Sequence, residues 1–163
     1  MEFGRFLPGL YKEYEVEFTQ KGYTSSKRIK EEDMKKLIVL SADALVEEDM
    51  EYLETLPNFK KYLAGGVGVR KVHSVYPTIT YPCHTTMITG VYPDSHKVTG
   101  NLELHPGRTS DLPWKWDYKY NACKQDIFTE AKKAGYETAA VFWPVTGNHP
   151  AIDHLIDEYW IQS

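Results

Sequence analysis

Short apolar runs, amphipathic stretches and proline–glycine clusters follow one another along the chain. Leu37-Ile38-Val39-Leu40-Ser41-Ala42 is a continuous apolar run too short for a helix. It has the pattern of a strand buried on both faces of a parallel sheet, and it ends at Asp43. Residues 47–56 predict a helix with acidic residues in its first turn, where they suit the dipole, and Pro57 breaks it. Residues 58–63 predict a second short helix stopped by Gly65 and Gly66. Residues 67–75 alternate valine with polar positions and predict a strand.

Further on, residues 77–82 form a proline-bounded rigid turn, and residues 83–89 a short helix ending at Gly90. Residues 101–118 contain Pro106, Gly107 and Pro113 and predict a long surface loop. Its aromatics, Trp114, Trp116 and Tyr118, together with Tyr120, are expected to close it against the domain. An amphipathic helix at 126–134, closed by Gly135, precedes a buried strand at 138–142. Strands and helices in alternation predict an α/β fold with a largely parallel sheet. Residues 1–35 are polar and tyrosine-rich and are expected to form an N-terminal arm, leaving 36–163 as the body.

Composition narrows the function classes. A chain of 163 residues, 42% hydrophobic and 13% aromatic, suits one folded domain rather than a disordered segment. A net charge of -4 gives no general attraction to nucleic-acid polymers or anionic membranes, so a bound anion must be held locally. Two cysteines, Cys83 and Cys123, are too few for a disulfide framework and lack metal-ligand spacing. Residues 1–12 are interrupted by Glu2, Arg5 and Lys12, and the longest apolar run falls far short of the roughly 20 residues of a membrane span. The expectation is a soluble, cytoplasmic chain.

Two positions carry candidate chemistry. Asp43 directly follows a strand, where ligands of open α/β sheets bind; a carboxylate there is either a metal ligand or a turn and cap residue. Thr80 lies between Pro77 and Pro82 just ahead of a helix. It is either an N-cap or a hydroxyl seated where a phosphate would meet free backbone donors.

The order of motifs resembles the nucleotide pyrophosphatase/phosphodiesterase (type I phosphodiesterase) family. The likeness starts at Asp43 and continues in Pro77-Thr78-Ile79-Thr80-Tyr81-Pro82-Cys83-His84. It then takes in Thr89-Gly90-Val91-Tyr92-Pro93-Asp94-Ser95-His96, Asn101 and Ala139-Ala140-Val141-Phe142-Trp143-Pro144. The resemblance implies an alkaline phosphatase-like three-layer α/β/α fold with a largely parallel sheet. It also implies hydrolysis of phosphodiester or nucleotide substrates with two divalent metals, usually zinc. By position, Asp43 would ligate one metal and Thr80, bridged to it, would attack phosphorus. Asn101 would donate to a nonbridging phosphoryl oxygen. His84 and His96 are expected to orient loops, and His73, His105, His149 and His154 to serve surface or core roles.

The remaining family ligands, in Asp-x-x-x-His and Asp-His patterns, have no counterpart here. Asp153-His154 stands in the context of a segment upstream of them. The expectation is therefore a truncated fold, silent or nearly so by itself, whose open sheet favours homo-oligomers. A sulfatase reading lacks its Cys-x-Pro-x-Arg motif. A related phosphonate or phosphomonoester hydrolase, or a non-catalytic self-associating module, stays open.

Overall fold

The structure is a computed structural model and describes residues 13–20, 23–30, 36–69, 72–108, 110 and 112–158. In chain order the elements are β1 (Glu13–Gln20), β2 (Tyr23–Lys30), α1 (Glu47–Leu53), α2 (Pro57–Leu63), α3 (Thr80–Thr89) and α4 (Pro93–His96). A 3-10 turn at Tyr118–Tyr120, α5 (Ile127–Lys133), β3 (Ala139–Val141) and β4 (His154–Ile156) follow. The antiparallel hairpin β1–β2 sets Glu13 opposite Lys30 and Gln20 opposite Tyr23. It falls within the expected N-terminal arm. The alternation Glu13-Tyr14-Glu15-Val16-Glu17-Phe18 is the period-two signal that announces it.

Three helix starts have a local cause. Pro57 and Pro93 open α2 and α4, since proline lacks only an N–H that the first turn leaves unpaired. Asp126 caps α5, accepting from the Thr129 N–H at 2.8 Å. Helix α3 begins at Thr80, three residues before the expected start, and ends where Gly90 takes the left-handed conformation at φ 69°. Thr85 and Thr89 donate to the carbonyls of Tyr81 and Thr85 one turn back, at 2.8 and 2.7 Å. Those bonds satisfy hydroxyls on a helix that buries much of its surface.

Strand β3 lies inside the expected strand at 138–142 and pairs in parallel with β4, Ala139 opposite His154 and Val141 opposite Ile156. Thr138 anchors the pair: its N–H donates to Asp153 at 3.0 Å, and its carbonyl accepts from the Asp153 and His154 N–H groups. Lys132 of α5 pairs with the same Asp153.

Two expected strands are not strands. Residues 37–42 and the described part of 67–75 join no ladder, and they lie open, with Leu40 91% and Val67 97% exposed. A strand buried on both faces needs a neighbour on each side and a covering layer. The parallel ladder among the described residues is only the three-residue pair β3–β4, which reaches neither segment.

The apolar core is small. Tyr81, Val98 and Val145 are fully buried, with Trp114 and Tyr120 packed on them, and each such burial contributes roughly 1.5–3 kcal/mol. Trp114 meets Tyr81 at 5.7 Å between ring centres, so this part of the long loop does close on the domain. Beside it lies a polar centre in which His149 and Asp126 side chains, both inaccessible, bond at 2.9 Å. Burial pushes the Asp126 carboxyl up, but the bonds from His149 and the Thr129 N–H outweigh it and hold the group below its ordinary range. His149 is a satisfied core histidine.

Candidate active site

The candidate residues come together at the mouth of α3. The turn at Asp43–Ala44, with Ala44 at φ 59°, presents the Asp43 carboxylate to the helix. Thr80 Oγ1 donates to Asp43 Oδ2 at 3.1 Å, while Asp43 Oδ1 accepts from the Ala44 N–H at 3.1 Å. The N-cap position belongs to Ile79, and its side chain caps nothing. Thr80 is therefore the first helical residue, with its hydroxyl aimed across the gap instead of back at its own helix.

Asn101 arrives from the loop after α4. Its Oδ1 accepts from the Tyr81 N–H at 2.9 Å. An N–H can only donate, so this contact fixes the amide orientation and leaves Nδ2 as its donor end. Asp43, Thr80 and Asn101, 58 positions apart along the chain, thus share one site.

The two motif histidines are fully engaged with protein atoms. His84, 6% exposed, bonds the Thr80 carbonyl through Nδ1 at 2.8 Å and the Ser41 hydroxyl through Nε2 at 2.9 Å. A carbonyl only accepts, so Nδ1 carries the proton and Nε2 receives one from Ser41. His96 accepts from the Val98 N–H through Nδ1 at 3.1 Å and donates from Nε2 to Thr86 at 3.0 Å, tying α4 to α3. Burial lowers the His96 pKa, with Asp94 pulling weakly the other way, which suits a ring that must accept. Neither ring has a nitrogen to spare for a metal.

Trp143 meets the His84 ring edge-on at 5.3 Å. It stands between Phe142 and Val145, whose φ angles are 55° and 60°. Positive φ at a β-branched, fully buried valine is strained backbone, of order 1–3 kcal/mol. The strain lies next to the site. Glu158 also faces it: burial raises its carboxyl pKa, the nearby Tyr81 hydroxyl and His84 lower it, and the Asp43 charge adds to the rise. Sequence reading passed over both Ser41 and Glu158. Ser41 had a signal, being two residues before Asp43 at the end of the apolar run. Glu158 had none.

Could this site hold a divalent ion? Asp43 and Thr80 present two oxygen donors on one side of such an ion. Zinc sites take three or four protein ligands, and among the described residues no group of three or more His, Cys, Asp or Glu side chains converges. The residues fit one edge of a metal site and do not close it.

The family model for type I phosphodiesterase / nucleotide pyrophosphatase matches residues 37–162. The chain belongs to this family. Among type I phosphodiesterase relatives, the mouse ectonucleotide pyrophosphatase/phosphodiesterase family member 3 is 30% identical over 138 residues, covering 74% of this chain and 15% of its own length. Human family member 1 is 33% identical over 101 residues, covering 58% and 11%. The venom phosphodiesterase of Naja atra is 29% identical over 136 residues, covering 74% and 16%. The structure of murine ectonucleotide pyrophosphatase / phosphodiesterase 5 superposes with a TM-score of 0.56 at 24% identity, over 70% of this chain and 32% of that one. This likeness shows the alkaline phosphatase-like α/β fold. The chain spans between about a tenth and a third of the length of these proteins.

Proposed function

We propose that this chain carries the nucleophile side of a metal-dependent phosphodiester or pyrophosphate hydrolase, with Thr80 attacking phosphorus. The observation that supports this best is the Thr80–Asp43 contact at 3.1 Å. Because the hydroxyl proton points at the carboxylate, the lone pairs of Oγ1 are left for an incoming phosphorus. Oγ1 bonds to phosphorus and gives up its proton toward Asp43 as the bond to the leaving oxygen breaks, and that oxygen departs with the electron pair. Water oxygen then bonds to phosphorus as the Thr80–phosphorus bond breaks, and Oγ1 takes back a proton to restore the hydroxyl. Asn101 Nδ2 is the donor for a nonbridging oxygen, where charge builds in the transition state.

A divalent cation, expected to be zinc, would supply charge neutralisation and a more acidic hydroxyl. Asp43 and Thr80 would hold it, and the ligands of a second ion are not found among the described residues. Nucleotides are the substrate class favoured by the names of the relatives.

We further propose that the isolated chain is silent. With p-nitrophenyl thymidine monophosphate and added zinc, its turnover is expected to equal that of the Thr80→Ala variant. Robust turnover lost in Thr80→Ala would overturn only the silence, whereas robust turnover kept in Thr80→Ala would overturn Thr80 as nucleophile.

A second reading, a self-associating module, is favoured by the open apolar residues Leu37, Ile38, Leu40, Val67 and Val72. Sedimentation velocity across a concentration series separates it. A fixed monomer rejects self-association, and a concentration-dependent dimer supports it.

A further inference from the structure

We infer that Ser41 and His84 form a positioning clamp that holds the Asp43 carboxylate against the Thr80 hydroxyl. The inference rests on the roles proposed above for Asp43 and Thr80. Residues 41 and 43 belong to one extended segment, and residues 80 and 84 stand one turn apart on α3. Two side-chain bonds cross between them, Ser41 to His84 at 2.9 Å and Thr80 to Asp43 at 3.1 Å. A third, His84 Nδ1 to the Thr80 carbonyl at 2.8 Å, closes the circuit within the helix.

The segment needs such a device. Residues 36–46 join no strand ladder, and Ser41 and Asp43 are exposed, so no backbone pairing sets how far Asp43 stands from Thr80. His84 can set it because its own ring is fixed. It is nearly buried, carries Trp143 against one edge, and bonds the very residue whose hydroxyl is to be aligned. The Thr80 carbonyl fixes the tautomer, so the bare Nε2 can bond only a donor. Ser41 is that donor. Neither Ser41 nor His84 is placed to touch phosphorus, so both are positioning residues.

The test uses Ser41→Ala and Ser41→Thr in the whole chain, with two readouts. Two-bond proton–nitrogen spectra of histidine-labelled protein report the His84 tautomer and the hydrogen bond at Nε2, with the resonance assigned by its loss in His84→Asn. The ring is expected to be protonated on Nδ1 and bare on Nε2 in all three proteins, held so by the Thr80 carbonyl. Its Nε2 resonance is expected to shift in Ser41→Ala, where the donor is gone, and to be parental in Ser41→Thr. Zinc affinity by calorimetry is expected to fall about tenfold in Ser41→Ala and to return in Ser41→Thr, at unchanged melting temperature. A parent ring protonated on Nε2 overturns the clamp, as does a Ser41→Ala variant with parental Nε2 resonance and zinc affinity. A shifted Nε2 resonance with unchanged zinc affinity reduces the pair to a structural bond and overturns the positioning role. A parent chain that takes up no zinc overturns the metal reading of Asp43 and Thr80 instead, and the Nε2 resonance in Ser41→Ala then decides the clamp.

Discussion

At the scale of single residues, the site is built from hydrogen bonds whose direction the chemistry dictates. Carbonyls and carboxylates accept and backbone N–H groups donate, and this fixes the tautomers of His84 and His96 and the amide of Asn101. One consequence is a pH dependence. The folded His96 pKa lies below its ordinary value of 6.5, so below about pH 6.5 the unfolded chain takes up a proton that the folded chain refuses. Stability contributed by the neutral ring is therefore complete above pH 6.5 and falls as the pH drops. Urea midpoints are expected to fall between pH 7.5 and pH 5, less steeply in His96→Gln, whose amide can still donate to Thr86. An equally steep fall in that variant would place the proton uptake elsewhere.

At the scale of elements, close approach does what side chains cannot. Gly147 lies on the Trp116 backbone, its N–H donating to the Trp116 carbonyl at 2.9 Å and its carbonyl accepting from the Tyr118 N–H at 2.8 Å. A Cβ added there would lie 2.3 Å from the indole ring. Gly147→Ala is expected to cost about 1–3 kcal/mol and to loosen the long loop, read as a lower thermal midpoint with weaker indole fluorescence shielding. A midpoint within one degree of the parent would show that Trp116 gives way freely. Most helices were legible in the sequence because prolines, glycines and an acidic cap announce their ends: Pro57, Gly90, Asp126. The start of α3 was legible only to within three residues, since Pro82 can stand anywhere in a first turn. The strand expected at 37–42, and the described part of that at 67–75, were misread because apolar content records what a segment can bury and says nothing of the partners that would bury it. Strand β4 was missed for the opposite reason: its three residues pair with Ala139–Val141, a partnership that no local pattern encodes.

At the scale of the whole molecule, the parts are unevenly supported. A compact centre around Tyr81, Val98 and Val145 fixes α3, α4 and the loop holding Asn101. The extended segment with Asp43 is joined to it by side chains. The central claim is that Thr80 and Asp43 act on one cation at the mouth of α3. Anomalous scattering from a crystal of this chain grown with zinc tests it most directly. A single zinc peak touching both the Thr80 hydroxyl and the Asp43 carboxylate, with oxygen distances of about 2.0–2.2 Å, is expected. Side chains turned apart, with zinc bound elsewhere or nowhere, would contradict it.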